Sequence, residues 1–218
     1  MVLIYLDNIN GAIKKSSLEA LSYGAAVAKQ LGTDAQALVI GDVSSDLSAL
    51  GQYGVSKVHQ LSGVNEFDAQ GFARLVADKA TEGNASVVVF SHSLSGKALA
   101  PRVSVRLKAG LVTGAVALPD TSNGFVVKKS VFSGKAFANV RINSAIKIIS
   151  LNPNAFTTVI GAGSAEVVST AATISSTVKI ASVSKSSGAR TLTESEIVVS
   201  AGRGMKGPEN WGMIEELA

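Results

Sequence analysis

Near the C-terminus, Gly202-Arg203-Gly204-Met205-Lys206-Gly207 satisfies the pattern G-x-G-x-x-G. That pattern holds dinucleotides when it follows a strand and opens a helix. Glycines let the backbone approach a diphosphate, and a helix N-terminus favours its negative charge. The flanks fit: Glu196-Ile197-Val198-Val199 reads as a buried strand, and Pro208-Glu209 opens a helix. Arg203 is the residue best suited to bind the anion, because a guanidinium offers fixed donors and stays charged at any working pH. Taken alone, the pattern is also met by a plain glycine turn. The acidic residue expected ~20 positions later falls outside the sequence.

A second constellation is Ser91-His92-Ser93-Leu94-Ser95-Gly96-Lys97. It sits at the carboxyl end of an expected central strand, where open parallel sheets bind ligands. Its serines, Gly96 and a helix N-terminus would suit a phosphate, and His92 would suit acid or base work. The plainer reading is a structural loop with His92 packed or solvated. Asp42, Asp46 and Asp68 stand where helices should start, so capping is their expected role. No nucleophile elbow, Walker A sequence or paired-carboxylate arrangement stands out. Trp211 is the sole tryptophan.

Composition narrows the chemistry further. The absence of cysteine removes disulfides, thiolate metal sites and cysteine nucleophiles. Two histidines, His59 and His92, leave no room for a multi-histidine metal site. With 46% hydrophobic and 17% charged residues, the 218-residue chain has ample material for a core. The start, Met1-Val2-Leu3-Ile4-Tyr5-Leu6-Asp7, lacks the features of a signal or transit peptide. The apolar runs fall far short of the ~20 residues that span a bilayer. A bacterial cytoplasm is the expected location. The net charge of +4 is dispersed, and its densest patch is Lys128, Lys129, Lys135, Arg141 and Lys147. Phe125, Phe132 and Phe137 lie nearby, but a solvated face of antiparallel strands explains the patch better than nucleic-acid binding.

The elements that must position these residues alternate in type. Strand signals occur at Val2 to Leu6, Ala37 to Ile40, Lys57 to Leu61 and Val87 to Phe90. Helical spacing links Leu18, Leu21, Ala25, Ala28 and Leu31, with Ser16 and Glu19 at capping-box spacing and Gly32 as the stop. A short helix is expected at Leu47 to Tyr53, stopped by Gly54. Another carries Phe72, Leu75, Val76 and Ala80 behind Asp68. A third runs to about Ala109, with Pro101 expected in its first turns.

Val112 to Leu118, Phe125 to Phe132, Lys135 to Ile142 and Ala145 to Leu151 then read as antiparallel strands, with a turn at Ser133-Gly134. Val178 to Val183 would add one more. Ser184 to Arg190 reads as a linker. The fold class is α/β. A mainly parallel three-layer sheet has helices on both faces, extended by antiparallel strands and followed by a fragment of a second doubly wound domain.

Several stretches carry a family resemblance. Val2-Leu3-Ile4-Tyr5, Gly11 to Leu21, Ser93 to Arg102 and Phe132-Ser133-Gly134-Lys135-Ala136-Phe137 resemble segments of electron-transfer flavoprotein alpha subunits. Lys135 departs from the usual asparagine. The strongest match is Val198 to Asn210, which resembles the opening of the family's FAD domain.

The resemblance implies an electron carrier, not an enzyme, that works as a heterodimer with a beta subunit. It carries FAD and takes electrons from dehydrogenases, typically the acyl-CoA dehydrogenases of fatty acid beta-oxidation. It passes them to a respiratory quinone oxidoreductase. Residues 1–190 would be a scaffold and subunit interface, and residues 191–218 an incomplete start of the FAD-binding domain. Arg203, Gly202 and Gly204 would contact FAD. The chain reads as truncated, which leaves FAD binding by this polypeptide alone doubtful. Two other readings stand beside this one. The first is a free-standing adenine-nucleotide-binding module of residues 1 to about 190. The second is a hydrolase or transferase working at Ser91 to Lys97.

Overall fold

The computed structural model describes residues 1–64, 66–176, 178–182, 192, 195 and 197–218. The chain divides into two compact units, Met1–Ser182 and Val183–Ala218. The expected linker and the expected domain boundary at 190–191 lie outside the described residues.

The larger unit opens with β1 (Val2–Leu6) and the short hairpin β2 (Asn8–Ile9) and β3 (Ala12–Ile13). Next come α1 (Lys15–Gln30), β4 (Ala35–Ile40), a 3-10 helix at Leu47–Tyr53, β5 (Lys57–Ser62) and α2 (Ala69–Glu82). The series continues with β6 (Val87–Ser91), α3 (Leu94–Leu107), β7 (Gly110–Ala115), β8 (Val126–Val131), β9 (Ala136–Arg141), β10 (Lys147–Leu151) and β11 (Glu166–Ala171). The strands form one nine-stranded sheet in the order β11-β5-β4-β1-β6-β10-β7-β8-β9. From β11 to β7 every pairing is parallel. Only β8 and β9 run antiparallel at the far edge.

Period-2 alternation divides the core between two layers. Val2, Ile4 and Leu6 of β1 face one side and join Ala20, Leu21, Tyr23 and Val27 of α1. Leu3 and Tyr5 face the other side with Phe72, Val76, Leu99 and Val103 from α2 and α3. Full burial of such side chains contributes about 1.5–3 kcal/mol each, which makes the central strands the rigid base of the unit. Gly24 lets α1 sit close to this base: a Cβ there would come within 2.3 Å of Ile4 Cγ1.

Several expectations change once the pairings are visible. Lys147–Leu151 is not an antiparallel extension but a parallel strand between β6 and β7. Strand β7 is also parallel to its inner neighbour. No strand forms over the described residues 178–182, whereas Glu166–Ala171, without an expected role, forms the parallel edge strand β11. Its side chains are largely exposed, so it lacks the continuous apolar run of a buried parallel strand.

The capping box does not form either. Helix α1 starts a residue before Ser16, with Lys14 as N-cap and no side-chain cap bond. Buried Glu19 instead accepts the backbone N–H of Asn154 at 2.7 Å. Asp46 and Asp68 cap their helices, accepting from the amides of Ser48 and Gln70, both at 2.9 Å. Asp42 lies further upstream and is not the N-cap of the 3-10 helix. Pro101 lies in the middle of α3, not its first turns, because the helix already begins at Leu94. Its missing N–H is tolerated on an exposed face.

In the smaller unit, 3-10 turns occupy Arg203–Met205 and Pro208–Asn210, followed by α4 (Gly212–Leu217). The buried strand expected at 196–199 is absent among the described residues, and Ile197 is 86% exposed. A strand needs a neighbour to take up its amides and cover its apolar face.

Candidate functional site

Gly202 and Gly204 flank an exposed Arg203 at the start of its 3-10 turn. The loop is held by its own backbone. Met205 N–H donates to Gly202 O at 3.1 Å, Lys206 N–H to Arg203 O at 3.1 Å, and Gly207 N–H to Met205 O at 2.8 Å. Asn210 Nδ2 adds a bond to Met205 O at 2.9 Å. Lys206 holds φ +66°, a region that L residues seldom occupy. Arg203, Lys206, Pro208 and Trp211 help line a shallow groove of about 380 Å³.

The residues present fit part of a dinucleotide. A Cβ built on Gly202 or Gly204 would meet nothing within 4 Å, so the backbone on both sides of Arg203 is open to a close-approaching group. Arg203 and Lys206 line the groove with two cations, the charge that a diphosphate would need. Pro208 at the first position of the next turn costs no helical hydrogen bond. Among the described residues no strand precedes the pattern, so only its downstream half has the expected context.

The second constellation has another purpose. Asp7, just past β1, is 2% exposed. Its carboxylate accepts the hydroxyls of Ser91 at 2.8 Å, Ser93 at 2.6 Å and Ser95 at 2.7 Å. Its backbone N–H donates to Ser17 Oγ at 2.9 Å. Ser93 also caps α3, accepting from Gly96 N–H at 3.0 Å. The serines that would cradle a phosphate are thus turned to an internal anion, and a second anion beside Asp7 would be repelled. Asp7 had no expected role. The available signal was three alternate serines at a strand end beside an aspartate ending a neighbouring strand.

His92 Nδ1 lies 2.8 Å from the buried Ser150 hydroxyl, and none of the loop serines turns to its ring. The Ser150 hydroxyl is fully buried, so this serine–histidine pair presents no nucleophile to a substrate. Burial, then Lys97 and Lys129, lowers the His92 pKa below the usual imidazole value. Burial chiefly lowers that of His59 too, and its Nε2 lies 2.8 Å from Gln36 Oε1. Both groups therefore favour the neutral form in the folded state. Their contribution is complete above the unfolded pKa of about 6.5 and is lost as pH falls through the lower folded values. Urea unfolding from pH 7.5 down to pH 5 should show falling stability, and the slope should flatten in the His59→Gln, His92→Gln double variant.

The cationic patch falls where antiparallel strands were expected, with Lys128, Lys135 and Arg141 exposed on and beside β8 and β9. Lys128 Nζ lies 4.4 Å above the Phe137 ring. Among the described residues no group of His, Asp or Glu could hold a metal ion. No helix among them is long and apolar enough to cross a membrane.

Comparison with known proteins decides the family. The electron transfer flavoprotein domain matches residues 2–175. The chain belongs to the electron transfer flavoprotein family. The alpha subunits of this family are electron-transfer flavoproteins and not enzymes. The chain is 29% identical over 223 residues to the electron transfer flavoprotein subunit alpha of Syntrophomonas wolfei, covering 99% of this chain and 69% of that protein. It is 27% identical to the subunit alpha of Bacillus subtilis over 96% of this chain and 66% of the relative. A further relative is the LctC subunit of a lactate dehydrogenase (NAD(+),ferredoxin) from Acetobacterium woodii, at 26% identity over 54% of its length. The chain thus spans about two thirds of the length of the alpha subunits it matches.

Proposed function

We propose that the chain carries the alpha-subunit role of an electron-transfer flavoprotein in a bacterial cytoplasm. It pairs with a beta subunit, and FAD is held in part by Gly202, Arg203 and Gly204. The observation that carries the reading is the open backbone on both sides of Arg203. It lies within a stretch that alpha subunits match nearly end to end. When bound, FAD supplies reversible electron uptake, which these side chains lack. The chain's own contribution is to place a permanent cation and uncovered amides against the cofactor's anionic or carbonyl oxygens.

Residues 1–190 serve as scaffold and subunit interface, and 191–218 begin the FAD-binding part. The hairpin β8–β9 supports the interface role: among the described residues no strand pairs with its outer edge, and Phe132 is 81% and Phe137 60% exposed. Large exposed aromatics beside a free edge mark a surface built for contact. Electrons arrive from dehydrogenases, typically acyl-CoA dehydrogenases, and leave to a quinone oxidoreductase, as the family resemblance implies.

Co-purification of the subunit, as its gene encodes it, with a beta subunit tests this reading. The complex should show flavin absorbance that bleaches on reduction and returns on oxidation. A colourless complex that stays colourless after FAD is supplied would refute it.

A further inference from the structure

Helix α3 carries two features that its own packing does not require. Its inward face is ordinary: Leu99, Ala100 and Val103 are buried against the sheet and α2. Its outward face presents Leu94, Ala98, Pro101 and Val105, spaced at i, i+4, i+7 and i+11, which aligns them along one stripe. Leu94 is 86% exposed and Val105 79%, so the ends of this stripe are not held by the fold. Pro101, Arg102, Val105 and Arg106, with Gln70 of α2, line a shallow groove of about 460 Å³.

The second feature is charge. Helix α3 contains Lys97, Arg102 and Arg106 and no acidic residue. Among the described residues none of these three lies within ion-pair distance of a carboxylate, although Arg102 acts on Asp68 at longer range and donates from Nη1 to Ala98 O at 2.7 Å. The neighbouring α2 is balanced by Arg74 with Asp78 and Lys79 with Glu82. Lys97 also sits in the first turn of α3, where the helix dipole disfavours a cation. A narrow apolar stripe edged by exposed cations is the complement of an acidic amphipathic helix.

We propose that the outer face of α3 is a docking surface for a protein partner that presents such a helix. Its apolar seam would lie along Leu94 to Val105, and its carboxylates would meet Lys97, Arg102 and Arg106. This surface shares no residue with the Arg203 loop or with the β8–β9 hairpin. A lipid surface fits less well, because α3 has no aromatic side chain to anchor at an interface and its stripe is narrow.

The test uses the full chain and a labelled helical peptide with leucines at i, i+4 and i+7 flanked by glutamates. Fluorescence anisotropy at low salt should show binding that weakens as salt is raised. Amide shift perturbations should map to α3 and Gln70. Val105→Glu and the Arg102→Glu, Arg106→Glu pair change exposed residues, and circular dichroism checks that they remain folded. Each should weaken binding by about tenfold or more. A peptide with glutamates replaced by lysines should not bind. The proposal is overturned by equal binding to wild type and variants, by perturbations that map elsewhere, or by no binding at low salt. Binding to anionic phosphatidylglycerol vesicles without binding to the peptide would also overturn it, in favour of a lipid surface.

Discussion

Asp7→Ala should lower the unfolding free energy of the chain by about 3–5 kcal/mol. The reason lies in what the substitution leaves behind. Three hydroxyls, those of Ser91, Ser93 and Ser95, converge on this carboxylate. Ser91 is as buried as Asp7, so water cannot readily replace the lost acceptor. A hydrogen bond to a charged group contributes about 1.5–3 kcal/mol, and buried donors left unmatched cost their desolvation. The same contacts fix the entry to α3, since Ser93 is both a ligand of Asp7 and the helix cap. Asp7→Asn keeps an acceptor at one oxygen and should lose less. Urea midpoints for the two variants check this order. Equal and small losses would mean that the serines find other partners at little cost.

Arg203→Ala should weaken FAD retention by about tenfold to a hundredfold in the complex with the beta subunit, the loss of one charge-assisted contact. Arg203→Lys keeps the charge but not the planar fork, and should fall between. The stability of the larger unit, Met1–Ser182, should not move, because the 203 side chain is exposed and belongs to the smaller unit. Flavin-to-protein ratios after gel filtration, with unfolding curves alongside, separate cofactor contact from general damage. An unchanged ratio in Arg203→Ala would assign the arginine to solvent.

The parallel core was legible because its strands are short apolar runs separated by helical spacing, as at Val87–Ser91 and Ala69–Glu82. The caps at Asp46 and Asp68 were legible because capping is local: each bond spans two residues. Pairing is not local. Strand β10 reads as a strand in its own residues, but its insertion between β6 and β7 depends on partners far away in sequence. The Ser16–Glu19 capping box failed for the same reason, since Glu19 bonds to an amide 135 residues further on.

At the Arg203 loop, glycine spacing singles out the candidate residues. The strand context needed a neighbouring strand that the described residues do not provide. Strand β11 escaped notice because an exposed edge strand lacks the apolar run that marks its buried neighbours.

The most direct measurement is a crystal structure of the flavin-loaded complex with the beta subunit. The guanidinium of Arg203 should lie within hydrogen-bond distance of an FAD oxygen, with Gly202 and Gly204 backbone against the cofactor. FAD bound with Arg203 turned to solvent and the glycines out of contact would contradict the assignment.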